Sequence, residues 1–138
     1  METGKRIILA DAGAEFRAVL AQALAGEPDF QVVGETGDGG ELIRLVRQLR
    51  PDAVVMELVL TGTDGLEVLR ELSQLADRPR ILVLSSYIRG NVVDEAAARG
   101  ADFFLTKPCK LSTVCQRLRQ VMSPGGLESE RDGGPTLE

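Results

Sequence analysis

Short apolar runs alternate along this chain with longer segments of mixed character. The runs are continuous rather than alternately apolar and polar, which is typical of strands covered on both faces. They occupy Arg6–Ala10, Gln31–Gly34, Ala53–Leu60, Arg80–Ser85 and Asp102–Thr106. The pattern therefore predicts five strands of a parallel sheet.

The segments between these runs repeat apolar residues every three or four positions, as one face of an α-helix requires. The stripes are Phe16/Val19/Leu20/Ala23/Leu24, Leu42/Leu45/Val46/Leu49, Leu66/Leu69/Leu72 and Val114/Leu118/Val121. A further helix is predicted over Asn91–Arg99, from an alanine run that Gly100 ends. Asp64, with Glu67 three residues later, is predicted to form a capping box at a helix start.

Strands and helices that alternate in this way predict an α/β fold, a doubly wound (βα)5 parallel sheet with right-handed crossovers. Such sheets place their ligands at the carboxyl ends of the strands. We predict one domain over residues 5–122. Residues 123–138 are rich in glycine and acids and poor in apolar groups, so we predict a flexible linker or a vector-derived tail there.

Composition narrows the class of protein. The 138 residues carry a net charge of −5, no histidine and two cysteines, Cys109 and Cys115. Zinc ribbons, histidine-dependent triads and a disulfide framework are therefore poor explanations, and we expect a reduced, cytoplasmic setting. No apolar run approaches the roughly 20 residues of a membrane span, and the basic surplus of a nucleic-acid binder is missing. We expect neither a membrane nor a nucleic acid as a direct partner.

Four polar residues follow or interrupt the apolar runs: Asp11, Glu57, Ser85 and Lys107. Three have ordinary explanations. A cap of the first helix explains Asp11 as well as a functional role does, and a turn explains Ser85 and a solvated loop Lys107. Glu57 is different, because it interrupts an apolar run and a buried carboxylate without a partner costs several kcal/mol. In a parallel sheet all four would share one edge, and Lys107 is the natural partner of Glu57.

Five motifs together resemble the receiver domain of bacterial two-component response regulators. They are Ile-Ile-Leu-Ala-Asp at 7–11, Arg-Pro-Asp-Ala-Val-Val-Met-Glu at 50–57, Asp-Gly-Leu at 64–66, Ile-Leu-Val-Leu-Ser at 81–85 and Gly-Ala-Asp-Phe-Phe-Leu-Thr-Lys-Pro at 100–108. The resemblance implies a flavodoxin-like sheet with strand order 2-1-3-4-5. It also implies a site at which an aspartate takes a phosphoryl group from a histidine kinase, with Mg²⁺ held by neighbouring acids.

Four positions depart from the family pattern. The first strand ends in two acids in the family, but here Asp11 is followed by Ala12. The phosphoryl-accepting aspartate is replaced by Glu57, and the Met-Pro pair that follows it is replaced by Leu60-Thr61. The acidic pocket of Asp11, Ala12 and Glu57 is therefore predicted to be degenerate.

Other positions keep the family pattern. Ser85 and Lys107 match the hydroxyl and the lysine that bind the phosphoryl oxygens, and Phe104 matches an aromatic residue that turns inward on activation. The resemblance also implies a cis peptide bond before Pro108, which directs Lys107 toward the site. The phosphoryl-binding side of the pocket is thus expected to be intact.

Magnesium prefers near-octahedral oxygen ligands at about 2.0–2.1 Å and normally needs one or two well-placed carboxylates. Ala12 supplies none, which leaves only Asp11 and an over-long Glu57 as ligands. We expect no cofactor, and Mg²⁺ binding that is weak or lost. The extra methylene would carry the Glu57 carboxylate roughly 1.5 Å further into the pocket. Glutamate is then a poor phosphoryl acceptor and an imitation of the charged state.

The sequence therefore predicts a non-enzymatic signalling domain, an atypical receiver that is the regulatory part of a transcription regulator. One alternative is a conventional receiver that uses another acid, although Asp11 lies on the wrong strand and Asp64 in a helix cap. Another is a small flavodoxin-like enzyme, a phosphatase or a flavin protein. Its first loop, Asp11–Glu15, has neither a Gly-rich phosphate cradle nor a nucleophile followed by a second acid.

The partners that the resemblance implies are a histidine kinase or phosphotransfer protein and a C-terminal effector domain. The sequence leaves a homodimer open. It does not indicate the cognate kinase or the output.

Overall fold

Five strands and five helices alternate along residues 4–123, which are the residues that the computed structural model describes. The elements are β1 Lys5–Ala10, α1 Ala14–Ala25, β2 Phe30–Thr36, α2 Gly39–Leu49, β3 Ala53–Met56, α3 Gly65–Ser73, β4 Arg80–Ser85, α4 Val92–Ala98, β5 Phe103–Thr106 and α5 Leu111–Met122. All strand pairs are parallel, in the order β2-β1-β3-β4-β5. The predicted fold class and strand order are confirmed.

Both faces of the sheet are covered, because successive side chains of a strand point to opposite faces. Ile7 and Leu9 of β1 belong to an apolar core with residues of α1 and α5. Ile8 and Ala10 belong to a second core with residues of α2, α3 and α4. This two-sided burial explains why the strands read as continuous apolar runs. Within residues 4–123, no helix is long and apolar enough to cross a membrane.

The apolar run at 53–60 is only partly a strand, so its predicted extent is wrong. β3 ends at Met56, and Glu57 is the first residue after it rather than a residue within it. The chain then turns, because the Leu58 carbonyl accepts a hydrogen bond from the Gly65 amide at 3.1 Å. A Cβ at position 65 would lie 2.1 Å from that carbonyl oxygen, so this close approach requires glycine.

The capping box predicted at Asp64 and Glu67 does not form. Asp64 makes no side-chain cap hydrogen bond at the start of α3, and the Glu67 carboxylate instead pairs with Arg70 at 2.8 Å. A side-chain cap is present at α2, where the Asp38 carboxylate accepts from the Glu41 amide at 2.9 Å. Arg70 therefore takes the Glu67 carboxylate away from the predicted box, and Asp64 makes no cap bond of its own.

The stripe predicted for α1 is narrower than its sequence spacing indicates. Leu20 and Leu24 are buried against the sheet, whereas Val19 is 51% exposed. These two leucines, one turn apart, pack on the strands beneath this helix, with Phe16 and Ala21 partly buried beside them. Val19 lies beside them on the solvent side, so its assignment to the core is wrong.

Arg50 ends α2 in the left-handed region, with φ of +50°, where residues other than glycine are strained. We expect Arg50→Gly to stabilise the fold by about 0.5–1 kcal/mol, since relief of this strain exceeds the added flexibility of the unfolded chain. Urea denaturation measures the change. Arg47→Gly, at an exposed position inside the same helix, is the matched control and should cost about 1 kcal/mol. A loss of stability in Arg50→Gly would contradict the prediction.

Candidate functional site

The four polar residues singled out in the sequence lie together at one edge of the sheet. Asp11 follows β1, Glu57 follows β3, Ser85 ends β4, and Lys107 follows β5. These four strands are neighbours, so the parallel arrangement brings their carboxyl ends to one place. Asp11, Glu57 and Ser85 are buried and Lys107 is half-buried.

Lys107 links the two carboxylates of this site. Its Nζ lies 2.6 Å from Asp11 Oδ2 and 3.0 Å from Glu57 Oε1, so it pairs with the predicted partner and also with Asp11. The peptide bond before Pro108 is cis. Burial acts to lower the pKa of Lys107, but its hydrogen bonds to Asp11 and Glu57 outweigh burial and raise the pKa above its usual value. The Phe16 ring adds a cation–π contact, with its centroid 4.2 Å from Nζ.

Hydrogen-bond donors surround the Glu57 carboxylate. Its Oε2 accepts from the Leu58 amide at 2.8 Å and from the Ser85 hydroxyl, with a longer contact of 3.4 Å to the Val59 amide. Its Oε1 faces Lys107 and, at 3.4 Å, the Ser86 amide. The side chain is only 5% exposed. Both oxygens of Glu57 are therefore engaged by groups that donate protons.

Asp11 forms a local turn rather than a helix cap. Its Oδ1 accepts from the Gly13 amide at 2.8 Å, and Gly13, not Asp11, is the N-cap of α1. The capping role considered for Asp11 is therefore wrong. Its second oxygen is held by Lys107, and Arg17 donates to its main-chain carbonyl. Ala12, the next residue, is exposed and offers no side-chain oxygen.

The donor set does not fit a magnesium ion well. Within residues 4–123, no group of three or more histidine, cysteine, aspartate or glutamate side chains could hold a metal. The oxygens that a cation at this edge would need are those of Asp11 and Glu57, and the Lys107 ammonium already binds one oxygen of each. A divalent ion that used the two oxygens facing Lys107 would have to compete with that ammonium.

Ser85 and Phe104 lie behind the carboxylates, on the adjacent strands β4 and β5. The Ser85 hydroxyl donates to Glu57 and accepts from the Tyr87 amide at 2.9 Å. Both residues are 0% exposed, and Phe104 packs in the core beneath α2, α3 and α4. Ser85 is thus turned toward Glu57, and the aromatic ring is turned inward.

Sequence reasoning missed the main-chain donors to Glu57 and the contact of Arg17 with Asp11. The amides of Leu58 and Val59 leave no signature in residue types, because every residue except proline carries an N–H. Arg17 lies one turn into α1, close enough to Asp11 in sequence to be considered as a cation near it. Asp64, the other acid considered as an acceptor, is exposed at the start of α3.

The comparison with protein families identifies the class. Residues 7–119 match the response regulator receiver domain. The chain therefore belongs to the family of response regulator receiver domains, which are signalling modules of two-component systems.

Known proteins similar to this chain agree with that class. The transcriptional regulatory protein LiaR of Bacillus subtilis strain 168 is 35% identical over 114 residues, which are 83% of this chain and 54% of LiaR. The chain thus spans about half the length of that relative. A two-component response regulator of the LuxR family from Aurantimonas sp. SI85-9A1 is similar in structure, with a TM-score of 0.80, 30% identity and coverage of 87% of this chain and 86% of that one.

The receiver domain of the putative response regulator NarL from Mycobacterium tuberculosis has the same fold. Its TM-score is 0.83 at 24% identity, over 88% of this chain and 98% of that one.

Proposed function

We propose that this chain is an atypical receiver, a pseudo-receiver that regulates an output without accepting a phosphoryl group. The observation that carries the proposal is the set of contacts made by Glu57. Its carboxylate takes the Leu58 amide, the Ser85 hydroxyl and the Lys107 ammonium, and a bound phosphoryl group would need the same donors. The glutamate occupies the site that a phosphoryl group would fill.

Phosphoryl transfer to Glu57 is disfavoured for two separate reasons. The attacking oxygen must lie in line with the leaving group, and both Glu57 oxygens are engaged in a pocket that leaves the side chain 5% exposed. Charge that develops on the phosphoryl oxygens is normally neutralised by a metal, and the second acid that would help to hold one is Ala12. Either defect alone would slow the reaction.

Glu57 is proposed to hold the domain in an activated-like arrangement. A carboxylate in the phosphoryl position attracts the Ser85 hydroxyl and Lys107, as a phosphate would. Phe104 is fully buried, and in the family the matching aromatic residue turns inward on activation. Since Glu57 is part of the chain and is not added by a kinase, the signal would come from partner binding rather than from phosphorylation.

The setting of the domain is proposed from its relatives. LiaR is a transcriptional regulatory protein, and this chain matches about half of it, which supports a role as the regulatory part of a transcription regulator in the cytoplasm. The effector domain would then supply the DNA contacts. A histidine kinase or phosphotransfer protein is the candidate upstream partner, bound without phosphoryl transfer, and a homodimer is compatible with this role.

Magnesium should bind weakly, because the Lys107 ammonium competes for Asp11 and Glu57 and Ala12 supplies no oxygen. Titration with Mg²⁺, followed by amide shifts at residues 10–13 and 57–60, measures the affinity. We expect no saturation below millimolar metal. Ala12→Asp is the matched variant and should tighten binding, because two adjacent acids repel until a cation binds. Saturation of the native protein at sub-millimolar Mg²⁺ would show that the pocket holds metal in the conventional way.

A further inference from the structure

The loop that follows Glu57 is tied to the N-terminus of α2 through one residue, Thr61. Its amide donates to the Gly37 carbonyl at 3.0 Å, and its carbonyl accepts from the Gly39 amide at 2.8 Å. These bonds form a short parallel bridge between Asp38 and Thr61, outside the five-stranded sheet. Two loops that come from different strands are therefore joined by main-chain hydrogen bonds.

The Thr61 side chain reinforces this connection. Its hydroxyl lies 3.1 Å from the Gly37 carbonyl oxygen and 3.0 Å from Asp38 Oδ1, so its single proton has two acceptors. The other Asp38 oxygen caps α2 through the Glu41 amide. The Glu41 amide and then the Thr61 hydroxyl lower the pKa of Asp38, which keeps the carboxylate charged and able to accept both bonds.

The backbone of this loop is also adapted to the contact. Gly62 has φ of +75°, and a Cβ there would lie 2.6 Å from Asp38 Oδ1. A side chain at position 62 would therefore be strained and would push the Asp38 carboxylate away from Thr61. Gly39 is crowded in the same way, since a Cβ added there would lie 2.6 Å from the Thr63 carbonyl oxygen.

The same loop supplies the main-chain donors of the site. The amides of Leu58 and Val59 point at Glu57 Oε2, and Thr61 follows only two residues after Val59. The chain between Glu57 and Thr61 is short, so a movement of Thr61 also moves the Leu58 and Val59 amides relative to Glu57. Proline, the residue of the family pattern at position 61, has neither the N–H nor the hydroxyl that this connection uses.

We propose that Thr61 is a positioning residue for Glu57. Its bonds to residues 37–39, the Thr61 clamp, fix the loop so that the Leu58 and Val59 amides stay aimed at the carboxylate. The position of the Glu57 carboxylate then depends on the start of α2 as well as on Lys107. That the clamp supports a phosphoryl-like role of Glu57 rests on the proposed function. The clamp itself is a property of the loop and can be tested alone.

The test uses the full chain and three variants at this position. Thr61→Val keeps the N–H and removes the hydroxyl, Thr61→Ser keeps both, and Thr61→Pro removes both. Thr63→Val, two residues further along the same loop, is the matched control, because its hydroxyl makes none of the clamp contacts. Amide hydrogen exchange and the carboxyl ¹³C shift of Glu57 are measured for each protein.

We expect the Leu58 and Val59 amides to exchange about tenfold faster in Thr61→Val, the size of effect that loss of one charge-assisted hydrogen bond gives. Thr61→Pro should show a larger increase where it folds, and the Glu57 carboxyl shift should move in both variants. Thr61→Ser should restore native values, and Thr63→Val should leave them unchanged. Amides in β1 and β4 should keep their native rates in all four variants.

Unchanged exchange at Leu58 and Val59 in Thr61→Val would overturn the clamp. So would an equal acceleration in β1 and β4, which would indicate global destabilisation, or a failure of Thr61→Ser to restore the native shift. These outcomes leave the pseudo-receiver proposal standing if the native protein still takes up no phosphate. Conversely, phosphate uptake by the native protein would refute the pseudo-receiver while leaving the measured clamp in place.

Discussion

Incubation of the native protein with acetyl phosphate and Mg²⁺ is expected to leave its intact mass unchanged. In-line transfer needs an acceptor of the right length and a metal that neutralises the developing charge, and these requirements fall on different residues. Glu57 fails the first, since it is one methylene longer than aspartate and its carboxylate is already bound by Lys107 and by the Ser85 hydroxyl. Ala12 fails the second, because it has no side-chain oxygen to offer a metal.

Single repairs should restore little phosphoryl transfer. Glu57→Asp shortens the side chain and opens space in front of Lys107, but it leaves position 12 without an oxygen. Ala12→Asp improves metal binding, but it leaves the over-long carboxylate among the phosphoryl donors. Each variant should show at most a small fraction of molecules that carry one added phosphoryl group in the intact mass spectrum.

The double variant Ala12→Asp/Glu57→Asp should gain Mg²⁺ affinity and phosphoryl acceptance together, beyond the sum of the single changes. Three acids would then lie close together, and a divalent cation relieves their repulsion. Ala12→Asp/Glu57→Gln is the matched control, because it can hold metal better but has no carboxylate acceptor at 57. If the native protein takes up phosphate as readily as the double variant, another residue is the acceptor and the pseudo-receiver proposal is lost.

The sequence predicted the order and type of the elements because most strands carry a continuous apolar run and each longer helix an apolar stripe. It also predicted that Glu57 needs a cation and that Lys107 supplies one. That inference worked because burial of an unpaired carboxylate is costly enough to override local preferences. The edge of the sheet where Asp11 and Ser85 join them follows from the rule for parallel strands.

What the sequence could not predict depends on local geometry and on competing partners. The apolar run at 53–60 gives no sign that β3 stops at Met56, since a buried loop residue such as Leu58 is as apolar as a strand residue. The sequence spacing predicted a capping box at Asp64 and Glu67, but it gave no sign that Glu67 pairs with Arg70 instead. The main-chain donors to Glu57 depend on the path of the loop, which Gly65 and Thr61 determine.

Replacement of Lys107 by methionine should destabilise the protein by about 3 kcal/mol, because it leaves two buried carboxylates without their shared cation. Methionine keeps most of the side-chain volume, so the loss is mainly electrostatic. Asp11 and Glu57 would then repel each other across the space that Nζ occupies, 2.6 Å and 3.0 Å from their oxygens. Urea denaturation near neutral pH measures the free energy of unfolding. Lys110→Met, an exposed lysine just before α5, is the matched control and should change it by less than about 0.5 kcal/mol.

Removal of one carboxylate charge should recover part of the stability that Lys107→Met loses. Lys107→Met/Glu57→Gln is expected to regain about 1–2 kcal/mol, because Asp11 is then the only buried charge of the pocket.

Alkaline pH should reproduce the loss of stability in the native protein. The pKa of Lys107 is raised in the folded state, so its contribution to the free energy of unfolding is complete below the unfolded pKa of about 10.4. That contribution disappears as pH rises through the higher folded value. The native protein should lose stability in that alkaline range more steeply than Lys107→Met. Parallel pH profiles of the two proteins would show instead that the ammonium does not hold the carboxylates together.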